Sequence, residues 1–248
     1  KGTKMKKKNL FKRCIFISCF AIIVLLAIMV MLKYEVEGET NMPFKLSKVI
    51  VVGTVEGVEN GESDKKWDFS IFQNNDIHFY IDQNAENSQN LLIKSVKIDN
   101  IKVLEEPQKG NIKAYMPNSE AGRLFAYDEQ FEVKEKLEFK GASQSSSTNL
   151  EIGSKGGTAV FRISNINIGN YSSDKDKQIE HNSSLLEKIE ASYEEIKFKV
   201  SFDFTIETTK AKYKTNIELN LPTSEFGEEK NCYLEINDTS DIIFKRVK

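Results

Sequence analysis

Few side chains in this chain are equipped for nucleophilic or acid–base chemistry. It has two histidines, His78 and His181, and one cysteine, Cys232, outside its N-terminal apolar run. A Ser-His-Asp or Cys-His arrangement needs one of those imidazoles beside its nucleophile. His78 belongs to the alternating run Ile77-His78-Phe79-Tyr80-Ile81-Asp82, on the side opposite the apolar residues, so it is expected to face solvent. His181 precedes a helical segment and reads as a surface residue. Cys232 reads as a small core hydrophobe rather than a nucleophile. No catalytic residue is assigned.

Metal and phosphate chemistry fare no better. Asp174, Asp176 and Glu180 place three carboxylates in one segment, with Lys175 and Lys177 between them. A calcium loop also needs a central Gly and a Glu at its twelfth position, and both are missing. The segment reads as a solvated charged loop, and no metal ligand is assigned. Gly153-Ser154-Lys155-Gly156-Gly157-Thr158 has the glycines of a phosphate loop, but a strand-like run, Ala159–Ile163, follows where a helix should open. A hairpin turn with positive φ at glycine fits better, and no cofactor-binding residue or cofactor is assigned. The 37 acidic residues offer many carboxylate pairs for glycoside hydrolysis, and spacing selects none of them. Tyr80, Tyr115, Tyr127 and Tyr171 lie near turns or at outward positions. They suit either a sugar-stacking platform or ordinary rim packing.

The elements around these residues read mainly as strands. Val49-Ile50-Val51-Val52, within 46–55, is a continuous β-branched run that suits a strand buried on both faces. A turn-rich loop follows at 60–64, a short strand at 67–72, a turn at Asn74-Asn75-Asp76, and the His78 strand. Further strands are expected at 91–105, 111–116 and 131–140. The clearest alternation is Ile196, Phe198, Val200, Phe202, Phe204 and Ile206. It turns at 208–210 into Tyr213, Thr215, Ile217, Leu219 and Leu221, a long antiparallel hairpin with one apolar face. Closing strands are expected at 232–236 and 241–247. One short helix is expected from the capping-box pattern Ser184–Glu187, with Leu185, Leu186, Ile189 and Tyr193 on one face. The pattern predicts an antiparallel β-sandwich-like domain over 46–248. The Ser- and Gly-rich stretch 141–149 is a candidate division, read in preference as a loop inside one domain.

The N-terminus is different in kind. Residues 14–32 contain 19 consecutive residues without charge, Pro or Gly. As a helix they span about 29 Å, the thickness of a bilayer core. Residues 1–32 carry seven basic residues and no acid, so 33–248 hold 35 − 7 = 28 basic residues against 37 acids, a net charge of −9. The positive-inside rule then predicts a basic cytoplasmic tail at 1–13, a transmembrane helix at 14–32, a polar stalk at 33–45 and an outer domain. No small-x-small cleavage site follows the apolar run, so the segment reads as an uncleaved signal anchor. An acidic body argues against nucleic acid as a partner. Lys outnumbers Arg 31 to 4, which suggests an AT-rich bacterial genome.

Four stretches carry a family likeness: KYEVEGETNMPFKLSKVIVVGTVEG after the apolar run, QNNDIHFYID at 73–82, GGTAVFRISN at 156–165 and IKFKVSFDFTI at 196–206. The chain resembles an uncharacterised family of single-span, signal-anchored extracytoplasmic proteins from clostridia and related low-G+C Gram-positive bacteria. The resemblance supports topology and compartment and implies no mechanism. The expected role is a non-catalytic binding or assembly module of the cell envelope, anchored in the cell membrane through 14–32 and paired with an envelope protein. The alternative is a wall-glycan-binding protein or a glycan-active enzyme.

Overall fold

The computed structural model describes residues 18, 20–28, 42–85, 91–118, 124–142 and 150–247. Residues 18 and 20–28 are helical with exposed side chains. The rest of 14–32, the tail 1–13 and most of the stalk lie outside the described residues. Among the described residues no helix is long and apolar enough to cross a membrane.

The fold is mainly β, in two sheets. In the five-stranded sheet the order is β10 (Cys232–Ile236), β1 (Phe44–Glu62), β2 (Lys66–Gln83), β7 (Gly157–Asp174) and β4 (Asn111–Tyr115). In the six-stranded sheet it is β11 (Lys245–Val247), β9 (Lys212–Leu221), β8 (Phe198–Thr208), β3 (Ile93–Glu105), β5 (Lys136–Gly141) and β6 (Glu151–Ile152). Pairing is antiparallel except between β5 and β6. Alternate residues point inward from both sheets into one apolar core. Val51, Ile77, Phe79, Phe161 and Ile163 come from the first sheet, and Val96, Ile98, Val200, Phe202 and Phe204 from the second. That core draws on both sides of 141–149, of which 143–149 lie outside the described residues.

The three central strands of the first sheet are 19, 18 and 18 residues long, against 13 and 11 for β3 and β8. They outrun the second sheet, so their far ends need another cover. The helices Ser184–Lys188 and Tyr193–Ile196 supply it: Leu185, Leu186 and Ile196 pack on Val55, Phe69, Ile71 and Ile168 as a second cluster.

Several expectations need correction. Asn74-Asn75-Asp76 is no turn; β2 runs through it without a break, because β1 and β7 complete its ladder on both sides. The strand β1 starts earlier than expected, at Phe44; Met42, Pro43 and Phe44 are buried, so the folded domain begins by Met42 rather than at 46, with Lys45 exposed within the strand. It is buried on one face only: Val49 and Val51 are buried, while Ile50 and Val52 are partly exposed. The helix breaks into two pieces, with Glu190 in the left-handed region at φ 52°. The capping box forms at Ser192 and Glu195 instead, while the Ser184 N–H donates to Asn182 Oδ1. Of 241–247 only the last three residues form a strand. The positive-φ glycine turn is present, Gly156 having φ 137° and its N–H donating to Gly153 O, but it is no hairpin: it joins β6 to β7, which belong to different sheets.

One glycine marks a close approach. A Cβ at Gly53 would stand 2.0 Å from Cys232 Sγ, across the β1–β10 ladder. Gly53→Ala is expected to destabilise the fold by about 2 kcal/mol through overpacking. Adding Cys232→Ala, which removes the sulfur, should restore most of that. A thermal melt of the two variants checks it; equal melts would show that β10 yields freely.

Candidate functional site

The outward faces of the two sheets differ in chemistry. On the six-stranded sheet that face is a lattice of ion pairs: Lys97 with Glu207 and Glu138, Lys199 with Glu218, and Lys214 with Asp203 at 2.7 Å. Burial opposes ionisation of Asp203, but hydrogen bonds from Lys214, Asn216 and Asn100 outweigh it and hold the carboxyl below its usual range. A face satisfied in this way has little left to offer a partner.

The outward face of the five-stranded sheet is mixed. In register across the strands lie Tyr233, Val52, Asp76, Arg162 and Tyr115, and beside them Glu235, Ile50, His78 and Val160. Tyr233 is 58% exposed, and Ile50, Val52 and Val160 are partly exposed. Toward the far end of the strands the segment 124–135 crosses this face. Phe125 and Tyr127 descend from it onto the sheet, Tyr127 packing edge-on against Phe72 and Tyr115. Tyr115 pairs with Glu132, and burial, followed by the Glu132 charge, pushes its phenol up to about 12.

Under that strap lies a polar cluster built on the QNND stretch. Asn74 is fully buried, and its amide donates to Glu56 Oε1 and to Tyr127 Oη, both at 2.8 Å. Its Oδ1 accepts from Ser164 Oγ at 2.7 Å. Arg162 grips Asp76 with two bonds, Nε to Oδ1 at 2.5 Å and Nη2 to Oδ2 at 2.9 Å. Its Nη1 donates to Tyr127 Oη at 2.8 Å and stands 3.5 Å from Glu56, and its guanidinium lies over the Phe125 ring at 4.6 Å. On the inward side of the same strand, Gln73 and Asn75 bond each other through both amides. Buried polar groups carry a desolvation cost unless each finds a partner, so a fully bonded cluster rigidifies the place where it sits.

A cleft of about 470 Å³ opens above this cluster, between Glu56, Val58, Leu124, Tyr127, Arg162 and His181. His181 Nδ1 accepts from the Gly57 N–H at 3.3 Å, so the neutral ring carries its proton on Nε2. Among the described residues no group of three or more His, Cys, Asp or Glu side chains could hold a metal ion. Asp174 pairs with Lys177 and Glu180 with Lys230, which engages two carboxylates of the charged loop. Cys232 is buried beneath Thr223. Of the four tyrosines singled out from the sequence, Tyr115 and Tyr127 meet at the site and Tyr80 stands on the same face under Lys48. Tyr171 packs near the far cluster. Arg162, Glu56 and Asp76 carry no local motif; the one sequence signal was a run of amides inside an alternating strand.

His78 lies between Ile50 and Val160 on the open part of the face, with Asp76 two residues before it. Burial lowers its pKa from 6.5, and the Asp76 charge opposes that only in part. The folded chain therefore takes up this proton less readily than the unfolded chain. Above about pH 6.5 the imidazole is neutral in both states and its full contribution stands. As pH falls the unfolded chain protonates first, and stability is lost until the folded ring protonates too. His78→Gln is expected to flatten the acid side of the stability–pH curve, measured by urea unfolding at a series of pH values. An unchanged curve would count against the burial effect.

No protein-family model matches the chain, and neither does a curated protein or a solved structure.

Proposed function

We propose that this protein is a membrane-tethered, non-catalytic binding module of a bacterial cell envelope, docking a protein partner on the outward face of its five-stranded sheet. The observation that carries this is the strand β1. Its Val49–Val52 run is patterned for burial on two sides, yet only one side is covered. Ile50 and Val52, with Val160 and Tyr233, form the uncovered remainder, whereas the opposite sheet closes its outer face with ion pairs. A partly apolar face with a polar rim is the composition of a protein interface.

Topology supports a partner close to the membrane. The apolar run 14–32 serves as the anchor, the basic tail 1–13 stays in the cytoplasm, and the sandwich stands outside. Nine residues, 33–41, separate the anchor from the first core residue, Met42. Fully extended they reach about 30 Å, so the face works within a short distance of the bilayer. The partner is accordingly an envelope protein held in or on the same membrane.

A photo-crosslinking residue placed at Ile50 in the full chain, in intact cells, is expected to capture a discrete membrane-protein partner. The same residue at Asn216, on the ion-paired face, is expected to capture none. Equal capture from both faces, or a chain recovered alone, would overturn the reading.

A further inference from the structure

We propose that the cleft above Arg162 binds a neutral sugar carrying an acetamido group. This goes beyond the docking face, and it rests on the membrane-tethered reading only for where such a ligand would be met.

The argument starts from charge. Arg162 is already balanced by Asp76, through two bonds, and by Glu56 at 3.5 Å. The three groups together carry one excess negative charge. An anionic ligand would meet that excess, and three of the five guanidinium N–H groups, among them the bidentate pair, are already taken by Asp76 and Tyr127. A cationic ligand drawn to Glu56 would sit against Arg162. A neutral group offering both a donor and an acceptor avoids both costs.

The lining matches such a group. Glu56 supplies the acceptor; Tyr127 Oη, which already accepts from Asn74 and Arg162, has its O–H left to donate, and the Nε2–H of His181 supplies a second donor. Val58 and Leu124 supply apolar wall, Leu124 being 50% exposed at the lip. An acetamido group carries an N–H, a carbonyl and a methyl, one feature for each kind of lining. Sugar hydroxyls extend the same donor–acceptor pattern beyond it.

Preorganisation is the second, independent support. Asn74, fully buried, holds both Glu56 and Tyr127, and Ser164 holds Asn74. Phe125 and Asp76 hold Arg162. Groups locked before the ligand arrives lose little freedom on binding, which is what a weakly interacting neutral ligand requires. A cluster needed only for folding would have been cheaper as apolar side chains.

The test uses the full chain in nanodiscs of uncharged phosphatidylcholine. It is titrated by calorimetry and by saturation-transfer NMR with N,N′-diacetylchitobiose, with cellobiose, and with the de-acetylated, cationic chitobiose. The expected result is saturable binding of the diacetyl disaccharide in the range of about 0.1–3 mM, and at least about tenfold weaker binding of the other two. Leu124→Trp fills the mouth of the cleft from an exposed position and should abolish binding while leaving the thermal melt unchanged. It should also leave crosslinking from position 50 intact, so this proposal and the docking reading fail separately. No saturable binding at about 20 mM, equal binding of cellobiose, or undiminished binding by Leu124→Trp would each overturn it.

Discussion

Asp76→Ala is expected to lower the stability of this fold by about 3 kcal/mol, a loss that urea unfolding of the full chain in detergent would measure. The reason is the state in which it leaves Arg162. That side chain is 13% exposed and Asp76 19%, so most of the hydration of the guanidinium is already gone. Two of its three nitrogens lose their acceptor at once, and Tyr127 and Glu56 cannot replace a bidentate carboxylate. The figure sits at the lower end for a broken buried pair because some water still reaches both groups. Asp76→Leu combined with Arg162→Leu should recover part of the loss, since it removes both desolvation costs together. A loss below about 0.5 kcal/mol for Asp76→Ala would place the pair among solvated surface bridges. The cleft above it would then have no rigid floor.

Phe79→Ala is expected to cost about 4 kcal/mol and to approach the whole stability of a marginal domain. Phe79 is fully buried at the centre of the shared core. Its ring stacks near Phe161 at 6.2 Å within its own sheet, and meets Phe202 at 5.9 Å and Phe204 at 4.6 Å on the facing sheet. Truncation removes the ring that joins the two layers and leaves a cavity that rigid strands close poorly. Phe79→Leu keeps most of the volume and should cost about 1.5 kcal/mol. If Phe79→Ala and an exposed control such as Leu124→Ala melted alike, the two sheets would not be stabilised through this cluster.

The sequence by itself determined that the fold is mainly β, and it placed most strands within a few residues. The cause is local: a strand facing a core on one side must alternate, and Phe198 to Ile206 or Ile77 to Ile81 show that period without reference to any neighbour. It also displayed an apolar run and a charge asymmetry at the N-terminus, which are properties of composition. Tertiary structure decided the rest. Asn74-Asn75-Asp76 has turn propensity in isolation, but two flanking strands supplied ladder partners, and the amides turned sideways to bond Glu56, Tyr127 and Ser164. The Val49–Val52 run predicts two covered faces; which face stayed open was settled by where the second sheet lies. The site itself was illegible for the same reason. Arg162 and Asp76 are 86 residues apart, and Tyr127 reaches them from a third segment. Periodicity reports which side of a strand a residue occupies, whereas only pairing register and the strap across the sheet bring those three side chains to one point.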